Sequence, residues 1–106
     1  MPEWCEAREW CPITVTSELL GRKWHPVIIH RLLQKNMGFN ELQEEVHSIS
    51  SKVLSGSLKD LQEKGIIKKE ILSESPKKVK YCLTEKGETL RPVINEMIEW
   101  GKENSI

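Results

Sequence analysis

The chain has 106 residues, 38% of them hydrophobic and 30% charged, and a formal net charge of zero. These values predict one domain with one core and exclude both a disordered chain and a membrane protein. No apolar stretch approaches the roughly 18 residues that span a bilayer, and the N-terminus lacks the basic start of a secretory signal, so we expect no membrane partner and a cytoplasmic location.

Apolar residues at intervals of three and four predict three helices in the first half of the chain. The first follows Cys11 and ends at Gly21, a residue suited to a left-handed cap. The second covers residues 24–35. A third begins at Asn40, where Gln43 three residues later gives a spacing typical of a capping box.

A fourth helix is predicted from residue 51 to residue 64, with Ser50 as its N-cap and Gly65 as its stop. Leu54, Leu58 and Leu61 lie at i, i+4 and i+7, so this helix buries one face. The opposite face carries hydroxyls, charges and a glycine: Lys52, Ser55, Gly56, Lys59 and Glu63.

After the fourth helix the apolar period changes from about 3.6 residues to two. Strands are predicted at residues 66–72 and 78–83, and the turn formers of residues 73–76 join them in a hairpin with a polar tip. Thr84 can cap a final helix that continues to about residue 103, and Pro92 should kink it.

This order predicts a mainly α fold with a β-hairpin wing (α+β), that is, a winged helix-turn-helix over residues 1–106. Residues 51–80 hold eight lysines against four acidic residues, so the centre of the chain is basic. We expect the fourth helix to enter the major groove of double-stranded DNA and the wing to reach the backbone. The candidate DNA-binding residues are Asn40, Ser50, Ser51, Lys52, Ser55, Lys59, Lys77 and Lys78. One alternative is that the outer face of this helix is merely solvated. The other is a winged-helix module that binds protein instead of DNA.

Several motifs occur in a characteristic order: Cys11-Pro12, Leu20-Gly21-Arg22-Lys23-Trp24, Phe39-Asn40-Glu41-Leu42, Ile49-Ser50-Ser51-Lys52-Val53-Leu54, Leu58-x-x-Leu61 and Tyr81-x-Leu83-Thr84-x-x-Gly87. Over residues 11–101 the chain resembles the HxlR-type transcriptional regulators. The resemblance implies a homodimeric prokaryotic winged-helix regulator whose first and last helices form the dimer interface. It also implies that a cysteine before the first helix senses oxidants in some members. Pro26 and Ser51 depart from the residues usual in the family.

The last helix independently predicts a homodimer, because its apolar residues occupy more than one stripe and cannot all face one small core. Ile13, Val93, Met97 and Trp100 are the candidate interface residues. A two-fold dimer suits a palindromic operator. A monomer that buries this helix against the N-terminal segment is the alternative.

The three cysteines lack C-x-x-C spacing, so we expect reduced thiols rather than a disulfide framework or a zinc site. Cys11, just before a helix, is a candidate redox or electrophile sensor, because a helix N-terminus favours the thiolate. A packing role is the other interpretation. Cys5 is suited to resolve an oxidised Cys11, whereas Cys82 alternates onto the lysine face of its strand and is less suited.

The histidines His25, His30 and His47 lack the spacing and the carboxylate neighbours of a metal or catalytic site. The chain also offers no Gly-rich phosphate loop and no histidine base for a cysteine nucleophile. We therefore expect no enzyme activity, no metal and no cofactor, and the sequence points to no particular small-molecule effector.

Overall fold

The structure, a computed structural model, describes residues 11–105. Cys5, predicted to resolve an oxidised Cys11, lies outside these residues. The elements in chain order are α1 (Pro12–Leu20), α2 (His25–Gln34), α3 (Phe39–Glu45), α4 (Ser51–Glu63), β1 (Ile67–Glu74), β2 (Lys77–Leu83), α5 (Glu85–Glu88) and α6 (Arg91–Glu103).

This order is that of a winged helix-turn-helix, as the sequence predicts. The strands β1 and β2 form an antiparallel hairpin, the wing, which follows α4 directly. Within residues 11–105, no helix is both long enough and apolar enough to cross a membrane.

The core forms where α2, α3 and α4 meet the base of the wing. The predicted leucine face of α4 is buried at Leu54, Leu58 and Leu61, and it meets buried side chains of α2, among them Ile28 and Ile29. Pro26 falls in the first turn of α2, where the missing N–H has no intrahelical partner to lose. The apolar spacing thus places α4 with its polar face outward.

The base of the wing is covered on both faces. Met37 exchanges two backbone hydrogen bonds with Tyr81, at 3.2 and 2.7 Å, and β2 also packs against α2 and α5. The strict alternation predicted for β2 therefore fails at its end, where Tyr81, Cys82 and Leu83 are all buried. Cys82 alternates with Tyr81 and Leu83 as predicted and lies outside the core cluster, but it is nevertheless buried.

The N-cap of α3 lies two residues earlier than the sequence predicts. Gly38 is its N-cap, and the Gly38 N–H donates to Glu41 Oε1 at 3.3 Å. Glu41 therefore stabilises this end of α3, and the predicted pairing of Asn40 with Gln43 is wrong.

The final helix is two helices rather than one kinked helix. Thr84 caps the short α5 as predicted, since its hydroxyl accepts the Gly87 N–H at 3.1 Å. Pro92 then occupies the first turn of α6, where a proline fits without a kink. The predicted kink is wrong because the chain leaves the helix before Pro92.

Gly21 closes α1 without the predicted left-handed conformation, since its φ is −78°. A Cβ at this position would clash with the Ser17 carbonyl oxygen, which accepts the Gly21 N–H at 2.7 Å. Gly65 does adopt the left-handed conformation, with φ +74°, and turns the chain from α4 into the wing.

Candidate nucleic-acid interface

The helix-turn-helix is formed by α3, residues 46–50 and α4. The Ser50 hydroxyl accepts the Val53 N–H at 3.1 Å and caps α4, as predicted. Gln43 Nε2 donates to Ser51 Oγ at 2.9 Å, which joins the end of α3 to the start of α4. Ser48 in the turn has a φ of 71°. These contacts fix the start of α4 relative to α3.

The outward face of α4 presents the predicted polar side chains to solvent. Lys52, Ser55 and Lys59 are exposed on one side of the helix, opposite the leucine face. Ammonium groups and hydroxyls are donors to base edges and to phosphate oxygens. The outward face of α4 therefore carries donors of the kind that contact DNA.

The remaining candidate residues on α3 and α4 are Asn40, Ser50 and Ser51. Ser50 and Ser51 are exposed, but each hydroxyl oxygen already accepts one hydrogen bond within the protein, so each can still donate one. Asn40 is exposed in the first turn of α3. Asn40 thus lies at the start of α3, and Ser50 and Ser51 lie at the start of α4.

Lys77 and Lys78 open β2 at the tip of the wing, and both are exposed. Lys77 pairs across the hairpin with Glu74, and Lys78 pairs with Ser73. A register shift between Ile71 and Ser73 marks an irregularity of the kind that twists a hairpin. The wing thus carries two adjacent cations at its free end.

A buried polar contact that the sequence pattern did not reveal ties α2 to α4. His25 is 2% exposed, and its Nε2 lies 2.7 Å from Asp60 Oδ2, which Lys64 Nζ also contacts at 2.7 Å. The hydrogen bond from Lys64, followed by that of His25, lowers the pKa of Asp60 from 3.8 to about 2. His25 and Asp60 are 35 positions apart, so only their charge types in the sequence hint at the pairing.

Glu41 forms a second polar link, between α3 and the wing. Its carboxylate lies 3.5 Å from Lys35 Nζ and 4.0 Å from Lys80 Nζ. The hydrogen bond from the Gly38 N–H lowers the pKa of Glu41, and the two lysines lower it further. The carboxylate of Glu41 therefore links the start of α3 to Lys80 of β2.

The two described cysteines lie in different environments. Cys11 is half-buried at the N-cap position of α1. Cys82 is buried and its thiol donates to Glu70 Oε2 at 3.2 Å. Burial, followed by the Glu70 contact, raises the pKa of the Cys82 thiol, which suppresses its thiolate.

The terminal helices leave apolar side chains uncovered. Within residues 11–105, α1 has no buried side chain, and Ile13 is 55% exposed. On α6, Ile94 is buried, whereas Val93, Met97 and Trp100 are exposed, Trp100 by 63%. The four predicted interface residues are thus on the surface of the monomer.

Within residues 11–105, no three His, Cys, Asp or Glu side chains cluster as metal ligands would.

Residues 19–105 match the family described as HxlR-like helix-turn-helix. The chain is 35% identical over 97 residues to the uncharacterized HTH-type transcriptional regulator YybR of Bacillus subtilis, covering 92% of this chain and 78% of that protein. It is 41% identical over 91 residues to the HTH-type transcriptional regulator YodB of the same organism, covering 85% and 81%.

Solved structures show the same fold. The redox regulator HypR in its oxidized form has a TM-score of 0.84 and 34% identity, with 91% of this chain and 99% of that chain covered. Diamide-treated YodB has a TM-score of 0.75 and 38% identity, with 90% and 95% covered. Quinone-bound YodB has a TM-score of 0.75 and 34% identity, with 89% and 100% covered.

Proposed function

The chain belongs to the HxlR-like helix-turn-helix family, whose relatives are transcriptional regulators and not enzymes, and from this premise we propose that it binds double-stranded DNA sequence-specifically as a homodimer. It acts in the cytoplasm on a palindromic operator. The observation that carries the proposal is α4, which buries its leucine face and presents Lys52, Ser55 and Lys59 to solvent.

Each polar group at this surface has a distinct role in the proposal. Lys52, Ser55 and Lys59 face the base edges, which carry the sequence information in the major groove. Lys77 and Lys78 on the wing bind phosphates, which fix register and add affinity for any sequence. Asn40 at the start of α3, and Ser50 and Ser51 at the start of α4, contact the DNA backbone.

The homodimer is supported by the uncovered apolar side chains of the terminal helices. A helix without a buried side chain, such as α1, gains little stability from packing within the monomer. Its pairing with α6 of a second copy would cover Ile13, Val93, Met97 and Trp100. A C2 dimer then presents two copies of α4 to half-sites about 34 Å apart.

The protein also responds to oxidants or electrophiles through Cys11 in this proposal. The position of Cys11 at the start of α1 supports it, as does the likeness to HypR and YodB, the first of which is named a redox regulator. A peroxide would convert the thiolate to a sulfenic acid, releasing water after protonation, whereas diamide would take two electrons and two protons as two thiols form a disulfide. Either change beside the dimer surface would alter the separation of the two α4 helices.

The test is selection of genomic fragments with the purified protein, followed by binding measurements on the selected operator. We expect Lys52→Ala or Ser55→Ala to weaken specific binding by about 1–3 kcal/mol and to leave binding to unrelated DNA nearly unchanged. Lys102→Ala, on an exposed part of α6, is the matched control. A protein that selects no fragment and binds no DNA would instead support a protein-binding winged-helix module.

A further inference from the structure

A cleft lies between the loop that joins α1 to α2 and one side of α4. Its volume is about 350 Å³, and its lining residues are Arg22, Lys23, Trp24, His25, Val53, Gly56 and Ser57. The first four come from the loop and the start of α2, and the last three come from α4. The cleft therefore belongs to both segments, and the DNA-binding roles proposed above do not use it.

The loop side of the cleft is cationic. Arg22 and Lys23 are exposed, and neither lies within 4 Å of a carboxylate among the described residues. Besides the hydrogen bond from Lys64, the charge of Arg22 helps to lower the pKa of Asp60, but neither cation of the loop forms an ion pair with this carboxylate, so both can bind an external anion. Lys23 Nζ lies 4.7 Å from the centroid of the Trp24 ring, which holds the ammonium group at the cleft.

The α4 side of the cleft contains Gly56, which the protein's own packing does not require. A Cβ built at Gly56 would meet nothing within 4 Å. Glycine inside a helix is nevertheless destabilising relative to alanine. A glycine that faces open space in the middle of α4 lets an external group approach the helix backbone closely.

His25 forms the buried polar part of the cleft. Its Nε2 is held by Asp60, while its Nδ1 is buried and has no hydrogen-bond partner in the part of the chain that the structure describes. A buried polar atom without a partner is unfavourable. This ring lines the same cleft as Arg22, Lys23 and Gly56.

The cleft is adjacent to the face of α4 that is proposed to read bases. With Leu54 at zero on a wheel of about 100° per residue, Lys52, Ser55 and Lys59 lie at about 100–160°, and Val53, Gly56 and Ser57 lie at about 200–300°. The cleft thus flanks one edge of the base-reading face. A helix seated in the major groove has a phosphate backbone along each edge.

We propose that this cleft binds one backbone phosphate of the operator, with Arg22 and Lys23 as its cationic ligands and Gly56 as the point of closest approach. The inference rests on the proposed function, because the phosphate reaches the cleft only when α4 occupies the groove. The α1–α2 loop is then a third DNA-contacting segment, beside α4 and the wing. The His25–Asp60 contact positions this loop against α4.

The first experiment compares Lys23→Gln with Lys102→Gln, which removes the same charge from an exposed position on α6. Lys23→Gln should weaken binding to operator and unrelated DNA by the same several-fold factor. The slope of log affinity against log salt should flatten by about 1 relative to Lys102→Gln. Identical slopes and affinities for the two variants would overturn the proposal.

A scan of the operator with single neutral methylphosphonates locates the contact. In the unaltered protein several phosphates in each half-site should matter for binding. The effect of one of them should vanish in the Arg22→Gln, Lys23→Gln double variant while the other positions remain sensitive. Should every position keep its effect in the double variant, no phosphate binds the cleft. Displacement of DNA by inorganic phosphate at constant ionic strength, without any such position, would assign the cleft to a free anion and overturn the proposal.

Gly56→Ala should change thermal stability and DNA affinity in opposite directions. The added methyl group meets open space in the protein and removes a helix glycine, so the melting temperature should rise by a few degrees. DNA affinity should fall, because the methyl group occupies the point of closest approach. Unchanged affinity together with a raised melting temperature would contradict the role of Gly56.

The failure of the proposed function and the failure of the phosphate site give different results. If the unaltered protein binds no DNA, the proposed function fails. If Lys52→Ala weakens binding and Lys23→Gln does not, only the phosphate site fails.

Discussion

Replacement of Asp60 by asparagine tests the buried contact that ties α4 to α2. The carboxylate accepts from His25 Nε2 and Lys64 Nζ, both at 2.7 Å, and its side chain is 24% exposed. These partners lower its pKa from 3.8 to about 2. Since one pKa unit corresponds to about 1.4 kcal/mol, the ionised carboxylate stabilises the fold by roughly 2 kcal/mol or somewhat less with solvent screening.

The sign of the pH dependence follows from the direction of the shift. Because the pKa of Asp60 is lower in the folded protein than in the unfolded chain, its contribution is fully present above about pH 5 and is lost between about pH 4 and pH 2. Asp60→Asn should therefore lower the free energy of unfolding by roughly 2 kcal/mol at pH 7, and the difference should shrink towards zero near pH 2.

Urea unfolding followed by circular dichroism, at one fixed protein concentration, measures this difference across the pH range. Glu63→Gln is the matched control, because Glu63 is an exposed carboxylate on the same helix and should change the free energy by less than about 0.5 kcal/mol. Asp60→Ala should cost about 1 kcal/mol more than Asp60→Asn, since it leaves His25 Nε2 buried without an acceptor. Equal stabilities for Asp60→Asn and Glu63→Gln, or a difference independent of pH, would refute this reasoning.

Three further predictions concern the surfaces used for assembly, regulation and DNA binding. Met97→Glu should convert a sedimenting dimer to a monomer, because an unpaired charge would be buried in the interface; a monomeric unaltered protein at micromolar concentration would contradict it. Cys11→Ser should abolish the change in operator affinity on diamide treatment, and Cys82 should resist thiol reagents in the folded protein because burial raises the pKa of its thiol; an unchanged diamide response in Cys11→Ser would assign Cys11 to packing. Exchange of Lys77 and Lys78 for glutamine should weaken binding to all DNA alike and flatten the salt slope by about 2; an unchanged slope would exclude wing contacts with phosphate.

Much of the fold is predictable because its signals are local. The leucines of α4 recur with the helical period, and Ser50 is a capping residue immediately before them, so both the position and the orientation of α4 follow from the sequence. Gly65 likewise marks the end of α4 with the left-handed conformation that favours glycine. The polar outward face, and with it the candidate base-reading residues Lys52, Ser55 and Lys59, is a consequence of the same period.

The errors arise where two locally acceptable choices compete. Asn40 and Gln43 have capping-box spacing, but the N-cap of α3 lies two residues earlier at Gly38, whose N–H donates to Glu41. Pro92 is compatible with a kink inside a long helix and with the first turn of a new one, and the break between α5 and α6 selects the second.

The sequence by itself determined the order of the elements, the buried face of α4 and the cationic tip of the wing, because each depends on spacing along a few consecutive residues. Tertiary structure alone decided which distant residues meet. The approach of α2 to α4 brings His25 to Asp60, and it places Arg22 and Lys23 beside Gly56. Cys82 is buried despite its alternating position, and its thiol meets Glu70 of β1 rather than the core cluster. These contacts are set by the meeting of whole elements, and the period of a single element carries no information about its neighbours.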